Sequence, residues 1–158
     1  MISIDTRYHG HVIVAEHSIW KCQAPIQAFL HDRRFVWLPH PTLREASPFG
    51  VLQSVDHATL AFVVIPLQLE GPPPGLPDHV EGYGLVGDPR TWKAWALCCT
   101  FANGQATTAN LRCPLLFHPK TRRGGQIILD DPRLPYDYPL THDGAAAAST
   151  STTGANAR

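Results

Sequence analysis

Lys120, Arg122 and Arg123 put three cations within four residues, directly before Gly124 and Gly125. Guanidinium forks in such a cluster can take a carboxylate of a partner helix or chain terminus in paired hydrogen bonds, and glycines let a partner's backbone come close. The alternative is a solvated turn whose arginines pair with Asp130 and Asp131 or with other carboxylates of the same domain. Asp130-Asp131 has the composition of a catalytic carboxylate pair. Consecutive strand residues point to opposite faces, however, and cannot jointly flank one substrate atom. The pair is read instead as capping a turn or strand end, and a carboxylate folded back onto Arg122 or Arg123 would pin the hairpin.

His9 and His11 are two apart and would share a strand face, a spacing found in metal sites. A site needs three or four converging ligands and no third is recognisable nearby, so surface histidines are the expectation. Cys98 and Cys99 would project oppositely from a strand and are read as core packing rather than a redox pair. Trp92, Trp95 and Phe101 could form a base-stacking platform on a barrel. Trp92 and Trp95 differ by three, so one is expected in the core and the other at the surface or an interface. An outward Trp together with Leu67 or Leu69 would make an apolar patch suited to an amphipathic partner helix. The sequence holds no G-x-S-x-G, P-loop or Rossmann fingerprint, so enzymatic chemistry has no candidate machinery and no cofactor is expected.

The elements that must position these residues are short. Fifteen prolines and twelve glycines leave little room for long helices, while β-branched and aromatic runs recur between them, a pattern of all-β structure. Thr6 to Val14 alternates around a break at Gly10, and Phe35 to Leu38 is a short apolar run. Phe49 to Val55 and Leu60 to Ile65 flank an Asp56-His57 turn signal and are expected to pair. Trp92 to Phe101 leads to Asn103-Gly104, a strong hairpin signal, so Ala106 to Leu111 should pair back onto it. Leu115 to His118 and Gln126 to Leu129 flank Pro119 to Gly125, predicting a second hairpin tipped with positive charge. Ile26, Phe29, Leu30 and Arg33 have helical spacing, enough for a turn or two after Pro25. Gly71 to Pro77 reads as a stiff, exposed, polyproline-like loop. From Thr141 onward small and polar residues dominate, so 141–158 is expected to be a disordered tail on a single domain of residues 1–140.

Composition narrows the partners. Hydrophobic residues make up 44% of the chain and charged residues 16%, and thirteen basic residues balance thirteen acidic ones. A neutral chain has no global field drawing it to nucleic acid or to an anionic membrane, and no apolar run reaches the length of a membrane span. Charges within the first twenty residues interrupt any signal-peptide core, so a cytoplasmic location is expected. The four cysteines, Cys22, Cys98, Cys99 and Cys113, lack C-x-x-C spacing and are read as reduced, buried, small apolar residues.

Two blocks then resemble a known family. Ala109-Asn110-Leu111-Arg112-Cys113-Pro114-Leu115-Leu116, Lys120-Thr121-Arg122-Arg123-Gly124-Gly125-Gln126-Ile127-Ile128-Leu129-Asp130-Asp131 and Tyr138-Pro139-Leu140 resemble the C-terminal signature of FliW, the bacterial flagellar assembly factor family. Leu52-Gln53-Ser54-Val55-Asp56 with Leu60-Ala61-Phe62-Val63-Val64 resembles that family's strand pair. Weaker similarity extends the resemblance over residues 5 to 140. Two segments depart from it. The glycines usual in the family are missing from Trp20 to Phe29, and Pro72-Pro73-Pro74 stands where an acidic helical segment is usual.

The resemblance implies a small antiparallel, closed or nearly closed β-barrel that binds flagellin before export and, once flagellin has left, binds the RNA-binding translational repressor CsrA. Repression of flagellin mRNA is thereby relieved, and two ligands competing for one limited protein suffice for such a switch. Lys120, Arg122 and Arg123 are the first candidates for contact, with Gln53, Asp56, Asp130 and Asp131 second on matching motifs. Two rivals belong to other classes: a barrel that binds mRNA directly, and a barrel that holds a small ligand or performs hydrolysis in a sizeable pocket.

Overall fold

The computed structural model describes residues 1–41, 47–99 and 107–140. Among them the regular elements are strands and three short 3-10 turns, and no helix is long and apolar enough to cross a membrane. A hairpin of β1 (Ile2–Thr6) and β2 (Gly10–Val14) comes first, followed by β3 (Ile19–Cys22), β4 (Arg34–Pro39), β5 (Gly50–Ser54) and β6 (Ala61–Leu67). After a long covering segment come β7 (Lys93–Cys99), β8 (Thr108–Ala109), β9 (Leu115–Phe117), β10 (Arg123–Gln126) and β11 (Tyr138–Pro139). Strands β7-β6-β5-β4-β3-β10-β9 are hydrogen-bonded in that order, and β9 pairs back onto β7, so seven strands close a barrel. The expected all-β barrel is therefore present. Its β3–β10 seam is parallel, joining Lys21 to Arg123 and Cys22 to Gly124, while the other seams are antiparallel.

Period-two alternation explains which side chains fill the barrel. Trp20, Cys22, Phe35, Leu52, Val64, Trp95, Leu115 and Phe117 point inward and form one buried cluster. Trp20, Trp95 and Phe117 meet edge-on or tilted at 5.1 to 5.9 Å between centroids, geometry that adds about 0.5–1.5 kcal/mol per pair beyond area burial. A barrel filled with aromatic rings has no interior room for a ligand, which counts against the small-ligand reading. The alternate residues Ile65, Leu67, Ala94, Ala96 and Leu116 belong to a second cluster with Leu69, Val80, Leu85, Trp92 and residues of 127–140. This wall is thus covered on its outer face as well. On the far side the β1–β2 hairpin covers β4 through Ile4, Val14 and Val36.

Several expectations are corrected by this two-sided burial. Trp92 and Trp95 are both buried, in different clusters, so neither is an outward platform, and Leu67 and Leu69 are buried with Trp92. Gly71 to Pro77 is not a free loop. Pro73 is buried, Leu76 packs on the core, and the Gly75 carbonyl accepts a hydrogen bond from the Asp130 N–H at 2.8 Å. Cys22 and Cys113 are buried as expected and Cys98 is half-buried, but Cys99 is exposed at the end of β7. Burial pushes the thiol pKa of Cys22 and of Cys98 up to about 12, which keeps both protonated and unreactive.

The β5–β6 hairpin around Asp56-His57 forms with Leu52 opposite Phe62, as the turn signal predicts. Cys98 pairs with Ala109 across the Asn103-Gly104 connection, although that turn lies outside the described residues, as do Phe101 and the predicted tail at 141–158. Residues 26–33 form no helix. Phe29 N–H donates to the Ile26 carbonyl at 2.8 Å, Ala28 takes a φ of 74°, and the Gln27 N–H is drawn to Gln126 Oε1 at 3.0 Å. Glycine is the ordinary occupant of such a left-handed turn position, and alanine there is strained. Ala28→Gly should stabilise the fold by about 1 kcal/mol, raising the midpoint of thermal unfolding by roughly 2–4 °C. A melting curve followed by circular dichroism checks it, and an unchanged or lower midpoint contradicts it.

Candidate functional site

The β9–β10 hairpin is tighter than the sequence suggests. His118 N–H donates to the Arg123 carbonyl at 2.8 Å and Arg122 N–H to the His118 carbonyl at 2.9 Å, so the reversal is complete by Arg122, which takes a φ of 60°. Gly124 and Gly125 therefore lie in the barrel wall and are buried, rather than at a tip open to a partner. A Cβ on Gly124 would fall 1.9 Å from the Leu116 carbonyl oxygen, so the glycine serves the close approach of β9 to β10. Beside them, Lys21 N–H donates to the Arg122 carbonyl at 2.7 Å and Gln23 N–H to the Gly124 carbonyl at 2.8 Å, which fixes the hairpin to β3.

This backbone separates the three cations. Lys120 is exposed on the turn, Arg122 folds back with its guanidinium 4.0 Å from the Trp20 ring centroid, and Arg123 is exposed on the outer wall next to Gly84. Neither arginine pairs with Asp130 or Asp131. Asp131 is buried and binds Arg133 at 2.8 Å, while the Arg112 guanidinium donates to the Asp131 carbonyl at 3.0 Å and stacks on Tyr136. Asp130 is exposed on an irregular segment after β10 and anchors the proline-rich segment through its backbone.

Hydrogen bonds from Arg133 hold the Asp131 carboxyl down at about 2, well below the ordinary carboxylate range. A group whose folded pKa is depressed contributes stability above its unfolded pKa of about 3.9, and loses that contribution as pH falls through the folded value. Asp131→Asn should therefore reduce stability at neutral pH and flatten its decline between about pH 4 and pH 2. Urea midpoints measured across that range check this, and parallel wild-type and variant curves contradict it.

Gln53 and Asp56 also serve the fold. Gln53 is completely buried, with Oε1 accepting from Arg7 N–H at 2.9 Å and Nε2 donating toward the carbonyls of Ser54, His57, Ala58 and Leu60 at 3.0 to 3.2 Å. It ties the tip of the β1–β2 hairpin to the turn after β5 and presents nothing to a partner. Asp56 pairs in two contacts with Arg34. Buried Asp32, which sequence reasoning overlooks, holds the same turn by accepting from Ser54 Oγ at 2.6 Å and pairing with His57 at 2.7 Å. His9 lies in a turn and not on the strand of His11. His9 Nε2 contacts the Pro39 carbonyl, His11 bridges Ser3 and Asp5, and no group of three metal-ligating side chains converges among the described residues.

What remains is a cationic, aromatic barrel mouth. Lys93 shares the inner face of β7 with Trp95, and Trp37 shares that of β4 with Phe35, so both stand at the same open end. With Ser18, Trp20 and Arg122 they line a cleft of about 290 Å³. The Lys93 ammonium lies 5.2 Å from the Trp95 ring centroid, and Trp37 is 40% exposed, large for a tryptophan. Its indole lies over Gly50, where a Cβ would fall 2.1 Å from Nε1. No acidic residue lines the cleft, and Lys93, Lys120, Arg122 and Arg123 take part in none of the ion pairs among the described residues. Counting by two from Trp95 and from Phe35 would have found Lys93 and Trp37 in the sequence.

Comparisons with known proteins agree with the fold. The sequence model of the family described as FliW protein matches residues 3–140. The flagellar assembly factor FliW of Bacillus pumilus (strain SAFR-032) is 34% identical over 130 residues, spanning 81% of this chain and 88% of the relative. That of Bacillus subtilis (strain 168) is 27% identical over 139 residues, spanning 87% and 95%. A crystal structure of the flagellar assembly factor FliW superposes with a TM-score of 0.70 at 28% identity, covering 87% of this chain and 95% of that one.

Proposed function

Because this chain belongs to the FliW family, we propose that it is a flagellar assembly factor that works by protein binding alone: it holds flagellin before export and, when flagellin is scarce, binds a CsrA-type repressor of flagellin translation. Exchange between the two needs only that they compete for one limited protein. The observation that carries this is the group of cations on the β9–β10 hairpin and barrel mouth, Lys120, Arg122 and Arg123 with Lys93, none paired with a carboxylate among the described residues. Such groups, already desolvated in part by ring stacking, suit recognition of carboxylates on another polypeptide. Asp130, exposed beside them, is a further polar contact. Gln53, Asp56 and Asp131 support the surface from within. The protein acts in the cytoplasm, where both partners are made.

A labelled flagellin leader RNA separates this from direct RNA binding. The purified protein alone should leave the RNA free, release it from repressor when added to the RNA–repressor complex, and lose that effect when flagellin is added. Direct binding of the RNA without repressor, weakening steeply with salt, would establish the rival.

A further inference from the structure

The barrel mouth combines cations that lack a carboxylate with rings that hold those cations in place. We propose that it is a docking cleft for an acidic peptide segment of a partner protein, a side-chain carboxylate sitting between Lys93 and Arg122 and the carbons next to it lying on the exposed Trp37 indole. This rests on the protein-binding function above and names the chemistry of the contact.

Charge complementarity selects the occupant. The whole chain is neutral, with thirteen residues of each sign, yet the cleft is lined by two cations, three tryptophans and a serine. Stacking on Trp20 and Trp95 fixes the two cations before any ligand arrives, so little side-chain freedom is lost on binding. A volume of about 290 Å³ lies at the small end of pockets that enclose a free ligand, and it fits side chains of a segment crossing the mouth.

Nucleic acid fits less well. Trp20 and Trp95 are 6% and 2% exposed and carry cations on their faces, which leaves Trp37 as the single ring of the cleft free to stack a base. A chain-terminal carboxylate is ordinarily captured by backbone N–H nests, whereas the lining here is side chains projecting from paired strands.

The test uses the full chain and fluorescence anisotropy with four labelled probes. These are a short C-amidated peptide with two central glutamates flanked by leucines, its glutamine counterpart, that counterpart with a free carboxyl terminus, and an oligouridylate. The glutamate peptide should bind about tenfold or more tightly than the glutamine peptide. Lys93→Gln and Arg122→Gln should each weaken the glutamate peptide by about tenfold and leave the glutamine peptide unchanged, and Trp37→Ala should weaken both peptides. Lys93 lies on regular strand, so its variant remains informative should Arg122→Gln disturb the turn. Equal binding of the two amidated peptides, a preference for the free terminus, or tighter binding of oligouridylate each overturns the proposal. Flagellin captured equally by wild type and both variants also retires the cleft and leaves the protein-binding function standing. Failure of the intact chain to capture flagellin or repressor retires that function itself.

Discussion

Gly124→Ala should prevent stable folding or lower the melting temperature by about 10 °C or more. The new Cβ would sit 1.9 Å from the Leu116 carbonyl oxygen and 2.7 Å from Phe117 Cα, and both are backbone atoms of the neighbouring strand. A flexible side chain could turn aside, but a strand can only move as a whole. Moving β9 away from β10 disturbs the seam on which Gly124 faces Phe117, and β9 also closes the barrel against β7. Phe117 is itself part of the aromatic interior with Trp20 and Trp95. Loss of about 4 kcal/mol or more is a large part of a typical domain's 5–15 kcal/mol. Gly82→Ala is the control, because nothing lies within 4 Å of its Cβ position and its φ is not in the left-handed region. That variant should melt within about 2 °C of wild type. Equal melting of the two variants would show that the β9–β10 seam is looser than the structure has it.

Replacing Lys120, Arg122 and Arg123 together by alanine should weaken capture of both flagellin and repressor by about 100-fold while the barrel stays folded. No side-chain hydrogen bond or ion pair of these three is present among the described residues, and the only side-chain interaction to be lost is the stacking of Arg122 on Trp20. A near-normal melting curve is therefore expected. The binding loss follows from removing charge-assisted contacts, about 1.5–3 kcal/mol each where a carboxylate is desolvated and less at an exposed rim. About 2.7 kcal/mol in total corresponds to the 100-fold loss. Unchanged capture by a folded variant would place the contact surface elsewhere on the barrel. Loss of one partner alone would divide the surface between them.

The parts of the fold that were legible in the sequence are those in which one strand feeds the next through a recognisable turn. The Asp56-His57 reversal between β5 and β6 is one, and the pairing of 98–99 with 108–109 is another. Long-range packing was hidden. Trp92, Leu67 and Leu69 look outward by alternation alone, but the segment from 69 to 92 and the one from 127 to 140 wrap the same wall and bury them. Helical spacing at Ile26, Phe29, Leu30 and Arg33 misleads because the backbone at Ala28 is left-handed, a conformation that side-chain periodicity does not report. The same holds for Gly124, whose role depends on how near β9 comes. Local pattern placed Lys120 on an exposed turn. It could not foresee that Arg122 would fold over Trp20, since the two meet only across the parallel β3–β10 seam. Gln53 and Asp131 carried the family motif and proved to be buried supports, which motif matching alone does not separate from contacts.

The most direct test of the account is a calorimetric titration of the intact protein with purified monomeric flagellin, with purified repressor, and with repressor after saturation by flagellin. Saturable binding of each partner alone, and little or no repressor binding once flagellin is bound, is the predicted result. Absence of binding to both, or equal repressor binding with and without flagellin, would contradict it.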